Sequence, residues 1–327
     1  MQRKVSELTV LFFVLIAVLL LMWALNGSGF MSFGYFQSMA FQLPELGILS
    51  LAMMITMLTA GINLSIIASA NLAGIIIAMI LGRLLPSDST GIGSSLIVLA
   101  TIMVGVGVAA LIGLLNGWLI AYLEISPILA TLGTMIAISG MSIVLTKGYV
   151  LSGFPQTLLF FGNGVILGIP VPMLVFIVCA LIMSLVLRRT PLGMRIYLLG
   201  SNPVACFYSG VNNRAVLLYT YLISGILAGL AAVIMIARFN SAKADYGESY
   251  LLLTILASVL GGVSASGGFG RVSGVVIALV ILQLISSGLN MMGVNNFLTI
   301  ALWGIILILV MVIKFVIDKR QERRAAA

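Results

Sequence analysis

The chain has 327 residues, of which 62% are hydrophobic and only 7% charged, and its formal charge is +8. Soluble domains carry about 25% charged residues, so this chain lacks the polar surface to face water and its solvent must be mostly lipid. With no histidine, and only Cys179 and Cys206 as cysteines, the composition argues against a metal site, a disulfide framework and histidine-based acid–base chemistry.

Ten apolar spans are predicted, at 8–27, 37–60, 64–84, 93–122, 127–146, 170–187, 215–237, 250–265, 271–289 and 296–317. A membrane-crossing helix needs roughly 20 mostly apolar residues. The first span, LTVLFFVLIAVLLLMWALNG, follows Arg3 and Lys4. It is longer than the ~7–15-residue core of a secretory signal and lacks a convincing small-residue cleavage site, so it reads as a transmembrane helix. The 93–122 run is long enough to require tilt, a kink or extension past the membrane, whereas 250–265 is short for a full crossing. The spans at 64–84, 127–146 and 271–289 are rich in Gly, Ala, Ser and Thr, which lets helices pack closely in lipid. The expected architecture is all-α and polytopic, a single transmembrane domain over residues 1–327.

Loop charge sets the orientation. With the N-terminus in the cytoplasm, twelve basic residues fall inside: Arg3, Lys4, Arg188, Arg189, Arg195, Arg214, Arg271, Lys314, Lys319, Arg320, Arg323 and Arg324. Arg83, Lys147, Arg238 and Lys243 fall outside; twelve and four account for all sixteen. That asymmetry satisfies the positive-inside rule and places both termini in the cytoplasm. The basic excess is therefore topological. No Lys/Arg patch is interleaved with exposed aromatics, so nucleic acid is not an expected partner.

The largest cytoplasmic loop, RRTPLGMRIYLLGSNPVACFYSGVNNR (188–214), carries four arginines and no acidic residue. Pro191 is expected to start a short helix and Gly200 to end it, with Asn202-Pro203 as a second start. The residues alone leave two readings open. One is an interfacial connector. The other is a docking element for a cytoplasmic partner, which would explain the apolar Met194, Ile196, Leu198, Cys206, Phe207 and Tyr208.

The energy source is the next question. Ion-coupled transporters usually keep ionisable groups in the membrane, at about 2.5–3.5 kcal/mol each on insertion scales. Here Glu45, in QLPELG, is the one acidic residue inside a span. It reads as a helix-end residue at a kink beside Pro44, with a working role as the alternative. No G-x-x-x-x-G-K-[ST] loop for ATP occurs. The glycine cluster LGGVSASGGFGRVSG (260–274) reads as a helix break with close backbone packing. The chain is thus either passive or fuelled by another subunit.

Four stretches carry a resemblance: LTAGINLSIIASANLAG (58–74), GLLNGWLIAYLEISPILATLGTM (113–135), RRTPLGMRIYLLGSNPVACFYSGVNNRAVLLYTYLISGILAGLAA (188–232) and ILASVLGGVSASGGFGRVSGVVIALVILQLISSGLNMMGV (255–294). Together they resemble the membrane permease subunit of bacterial ABC importers for ribose and related sugars, within the branched-chain amino acid/ribose permease superfamily. The resemblance implies an inner-membrane protein that works as a homodimer or heterodimer of permeases. Its implied partners are cytoplasmic ATPase subunits and a periplasmic solute-binding protein, and it implies no cofactor or catalytic residue of its own. The segment about 188–213 is similar to the family's coupling region, which implies ATPase contact by Thr190, Pro191, Gly193, Met194, Arg195, Gly200, Asn202, Pro203, Ala205 and Gly210. Two departures stand out. The family's G-G-I-D-L-S is Ala60-Gly61-Ile62-Asn63-Leu64-Ser65 here, and its Asn-Pro-Glu-Ala-Ala is Asn202-Pro203-Val204-Ala205-Cys206. Both fit a divergent member, such as one half of a heterodimeric pair.

The expected mechanism is alternating access, with the binding protein docking on loops 147–169 and 238–250. A neutral, hydroxyl-rich sugar needs hydrogen-bonding groups rather than charge along its path. Asn63, Ser65, Asn71, Thr134, Gln283 and Asn290 are the candidates, with plain interhelical hydrogen bonding as the competing reading of each. A stand-alone channel or facilitator is the alternative function. A membrane enzyme is disfavoured by the absence of histidine and of paired intramembrane carboxylates.

Overall fold

A computed structural model of the chain describes residues 7–85, 91–295, 297–308 and 312. Its long helices are α1 (Glu7–Asn26), α2 (Phe33–Leu58), α3 (Ile66–Leu84), α4 (Ile92–Tyr122) and α5 (Pro127–Thr146). A strand β1 (Leu151–Ser152), a short helix α6 (Gln156–Asn163) and a hairpin of β2 (Val165–Ile166) and β3 (Ile169–Pro170) lead to α7 (Val171–Arg189). Two short helices, α8 (Pro191–Ser201) and α9 (Pro203–Tyr208), precede α10 (Asn213–Phe239). The strand β4 (Ser241–Ala242), α11 (Tyr250–Leu260), α12 (Val272–Met291) and α13 (Phe297–Ile308) follow.

Each of the ten predicted apolar spans contains a helix among the described residues. Eight of the helices are long and apolar enough to cross a membrane, while α11 and α13 are short. The expected span at 296–317 runs beyond the described residues after Ile308, apart from Val312. The shortness of α11 has a local cause: the chain turns at Gly261 and Gly262, and Gly262 holds the left-handed φ of +84° that other residues avoid.

The middle of the bundle is α2, whose residues from Leu43 to Leu58 are all buried. Against it lie α7, α10, α11 and α12. The closest helix pair is α4 with α10. Gly113 and Gly117 of α4 face the backbone of Tyr221 and Leu218, and Gly225 and Gly229 of α10 face Ala109 and Val106. A Cβ on Gly229 would lie 2.7 Å from the Val106 Cα. In lipid, helices gain little from hydrophobic burial against each other, and this small-xxx-small approach of backbones supplies the packing instead. Small residues singled out in the sequence pack closely too: Gly274 of α12 sits against the Gly261 carbonyl, and Gly74 of α3 faces Ile236.

α4 has 31 residues. At 1.5 Å per residue it is about 46 Å long, which exceeds a hydrocarbon core of about 30 Å and requires tilt or projection.

The connectors gather at two ends, as alternating spans require. At one end the Leu58–Ala60 turn meets the 267–270 loop, where the Gly268 amide donates to the Leu58 carbonyl at 2.9 Å. At the same end Arg214 lies 3.9 Å from Glu124 of the α4–α5 turn and over the Tyr122 ring. At the other end β1 pairs antiparallel with β4, joining the 147–170 and 239–249 connectors. There too the Tyr35 hydroxyl donates to the Ser287 carbonyl, tying the start of α2 to the end of α12. Arg188, Arg189, Arg195, Arg214 and Arg271 all belong to the first end.

Candidate functional site

The basic loop folds into the two helices that its punctuation predicts. Thr190 caps α8: its Oγ1 accepts from the Gly193 amide at 3.3 Å and donates to the Val186 carbonyl at 2.7 Å, fixing the α7–α8 corner. Pro191 occupies the first turn, where a missing N–H costs nothing. Gly193 lies so close to the end of α7 that a Cβ would sit 2.5 Å from the Leu187 and Val186 carbonyls. Asn202 caps α9 through the Ala205 amide at 2.9 Å. Gly210, with φ of +76°, closes the segment.

α8 has two faces. Gly193, Ile196, Leu199 and Gly200 are buried, while Met194, Arg195 and Leu198 are exposed. With Pro203 and Ala205 also exposed, α9 adds Val204, Phe207 and Tyr208, which are 65%, 66% and 84% exposed. The result is a basic, strongly apolar surface without an acidic residue.

Gly200 does not end α8, which continues to Ser201. Its role is contact. Its α-carbon sits against the Leu58 carbonyl, and a Cβ would lie 2.5 Å from the Gly268 amide nitrogen. Gly267 and Gly268 take positive φ to approach α8 from the other side, and the Tyr197 hydroxyl donates to the Gly270 carbonyl at 2.8 Å. The glycine cluster is therefore the seat of α8.

Five residues beyond Leu58 begins a buried polar network. Asn63 Nδ2 donates to Ser224 Oγ at 3.1 Å, and its Oδ1 accepts from the Ser65 amide and hydroxyl at 3.1 and 2.8 Å. Asn116 Nδ2 donates to Ser65 Oγ at 2.8 Å, and Thr134 Oγ1 donates to Asn116 Oδ1 at 2.8 Å. Asn63, Ser65 and Thr134 are thus brought together. Asn116 and Ser224, which complete the network, escaped sequence reasoning. Both lie within quoted stretches, Asn116 in 113–135 and Ser224 in 188–232, and that membership was the signal each offered.

The other candidates lie elsewhere. Asn71 Nδ2 donates to the Ala244 and Tyr246 carbonyls at 2.8 and 2.9 Å. Gln283 Nε2 bonds Ser287 Oγ at 2.9 Å and Gln42 Oε1 at 3.3 Å. Asn290 is exposed on the last turn of α12.

Glu45 departs from expectation. It is not a helix-end residue: α2 runs through Pro44 without ending, and Glu45 is 1% exposed within it. Its Oε1 receives the Tyr250 hydroxyl at 2.6 Å and lies 2.8 Å from Arg238 Nη1. A buried carboxylate needs such a counter-charge.

A family model described as the branched-chain amino acid transport system / permease component matches residues 35–313. The chain belongs to this permease family. It is 34% identical over 283 residues to the Autoinducer 2 import system permease protein LsrD of Escherichia coli O9:H4 (strain HS), which covers 85% of this chain and 82% of that one. The proteins of the same name from Escherichia coli (strain K12) and Shigella flexneri match to the same extent. No solved structure matches. The permease is an all-α, multi-pass protein of the bacterial inner membrane and a transport component of an ABC-type importer.

Proposed function

We propose that this permease carries a small sugar-like solute inward, driven by separate cytoplasmic ABC ATPase subunits that dock on α8 and α9. A periplasmic binding protein delivers the solute to the 147–169 and 238–250 connectors, and a second permease copy or paralogue completes the path. Both chain termini and the basic end face the cytoplasm in this reading.

The observation that carries it is the seating of Gly200 on Leu58 and Gly268. The exposed face of α8 and α9 offers apolar side chains and Arg195 to a partner groove. The buried face is locked by backbone contacts to the end of α2 and to the 267–270 loop. A push on α8 therefore passes as a rigid-body displacement to the Leu58–Ser65 turn and to the network beginning at Asn63. The coupling contacts are those of Thr190, Pro191, Gly193, Met194, Arg195, Gly200, Asn202, Pro203, Ala205 and Gly210.

The cargo follows from polarity. Asn63, Ser65, Asn71, Thr134 and Gln283 offer neutral donors and acceptors, and Asn290 lies at the outer rim. The buried charge of Glu45 is met by the partly exposed Arg238. A hydroxylated, uncharged solute fits such groups, and the relatives' name makes autoinducer 2 the first such molecule to test beside ribose. The test is uptake of labelled ribose and of autoinducer 2 by proteoliposomes holding the permease, a partner ATPase and a solute-binding protein. ATP-dependent accumulation of either solute is expected. Uptake that ignores ATP would instead support a passive facilitator.

A further inference from the structure

The segment 239–249 joins α10 to the short helix α11 at the end opposite the basic loop. It is not a loose connector. Ser241–Ala242 pairs with Leu151–Ser152. The Ser241 and Tyr246 hydroxyls lie 2.7 Å apart, and the Phe239 and Tyr246 rings pack at 5.3 Å. Asn71, in the second turn of α3, draws the Ala244 and Tyr246 carbonyls inward, so the strap dips between helices. Beneath it lies a small cavity lined by Asn71, Met235, Ala242, Lys243 and Tyr246 among others.

Both ends of the strap converge on one atom. Arg238 immediately precedes it and Tyr250 immediately follows it, and both meet Glu45 Oε1. Glu45 Oε2 has no hydrogen-bond partner, so Oε1 alone holds the two ends. We propose that Glu45 is a positioning residue that clamps the 239–249 strap shut over the α3–α10 cleft, and that the strap is the outward gate of the permease. The inference rests on the permease reading for what the gate serves, but the clamp itself is a statement about this chain alone. Ionisable groups inside membranes are costly and are generally retained for a task. Here one carboxylate holds both ends of a segment whose middle is tied to the rest of the bundle by the Asn71 amide, the two-residue strand pair and the Phe154 amide, which donates to Asn240 Oδ1 at 3.0 Å. Releasing Glu45 would free the strap to lift, parting β4 from β1 and exposing Asn71.

The test uses Ala242→Cys, a buried strap position beside the cavity, in the full permease. Labelling by a membrane-impermeant maleimide reports strap opening, and ATP-independent leak of ribose from proteoliposomes reports the gate. Glu45→Gln with Arg238→Gln removes both charges together and should speed labelling about tenfold and start a leak. Tyr250→Phe, which removes one hydroxyl, should give a smaller rise in both. In a separate preparation, Ser152→Cys and Ser241→Cys, oxidised to a disulfide across the β1–β4 pair, should abolish the leak of the double variant, and reductant should restore it. A merely structural role would not be rescued by that bridge. Parent-like labelling and leak in the double variant would overturn the proposal. If the double variant fails to assemble, parent-like behaviour of Tyr250→Phe overturns it. ATP-driven uptake by the parent is measured alongside. If uptake fails while the labelling contrast holds, the importer reading falls and the clamp stands; the reverse result rejects the clamp alone.

Discussion

Gly200 of α8 is seated against the carbonyl of Leu58, the last residue of α2, with the Gly268 amide donating to that same carbonyl. Three segments far apart in sequence meet at one backbone atom. Gly200→Val should pry them apart. Overpacking of this kind costs about 1–3 kcal/mol or more, but the larger consequence is mechanical. ATP-dependent uptake should fall at least about tenfold while the ATPase still co-purifies, because the exposed face of α8 is untouched. Uptake assays with a parallel pull-down check both halves.

The exposed face predicts the opposite pattern. Phe207→Asp and Arg195→Glu change residues that touch little within the permease. Buried anchors at an interface typically cost about 2 kcal/mol or more when lost, so ATPase retention should drop more than tenfold. The thermal midpoint of the permease alone should stay within about a degree, since exposed substitutions are generally near-neutral.

Asn63→Leu should destabilise the bundle. It leaves Ser224 and Ser65 short of partners in the membrane interior, and a buried unsatisfied polar group costs about 1–3 kcal/mol. Asn63→Asp restores the acceptor, loses the donor to Ser224 and adds a charge. It should lower the thermal midpoint as well, and a light-scattering or fluorescence melt distinguishes both from the parent.

Tyr197 links the coupling helix to the glycine loop through its hydroxyl. Burial raises its pKa above 10.0, outweighing the nearby Arg188 and Arg271, which lower it. A raised pKa means the protonated, donating form is favoured in the fold. Its contribution is complete below pH 10 and is lost only as pH rises through the folded value. Tyr197→Phe should therefore reduce coupling by a similar factor at pH 6 and pH 9, with a stability cost of about 1 kcal/mol. Rates measured at the two pH values check this.

Much of this was legible in the chain. Apolar run length locates the eight long helices and the shorter α11 and α13, because lipid demands long apolar segments with internally satisfied backbones, but it gives no sign of α6. Pro191, Gly193, Asn202 and Pro203 mark α8 and α9 through local capping chemistry. What stayed hidden is long-range pairing. Nothing near Glu45 announces Arg238 or Tyr250, and hydropathy cannot say that the Gly113/Gly117 pair meets the Gly225/Gly229 pair. Asn71 shows the same limit: its residue type fits a solute path, yet its amide is spent on the carbonyls of the strap. The role of Gly200 was half legible, since a glycine after a short helix resembles a stop but here serves close approach.

The most direct measurement is co-purification of the tagged permease from mild detergent at native abundance, with mass spectrometry of the bound chains. It is compared with a variant carrying Gly193→Asp and Arg195→Glu. The account predicts an ATPase with a nucleotide-binding loop bound to the parent and lost from the variant. Its absence from the parent under gentle extraction, together with sugar flux through the permease alone in liposomes, would contradict the account.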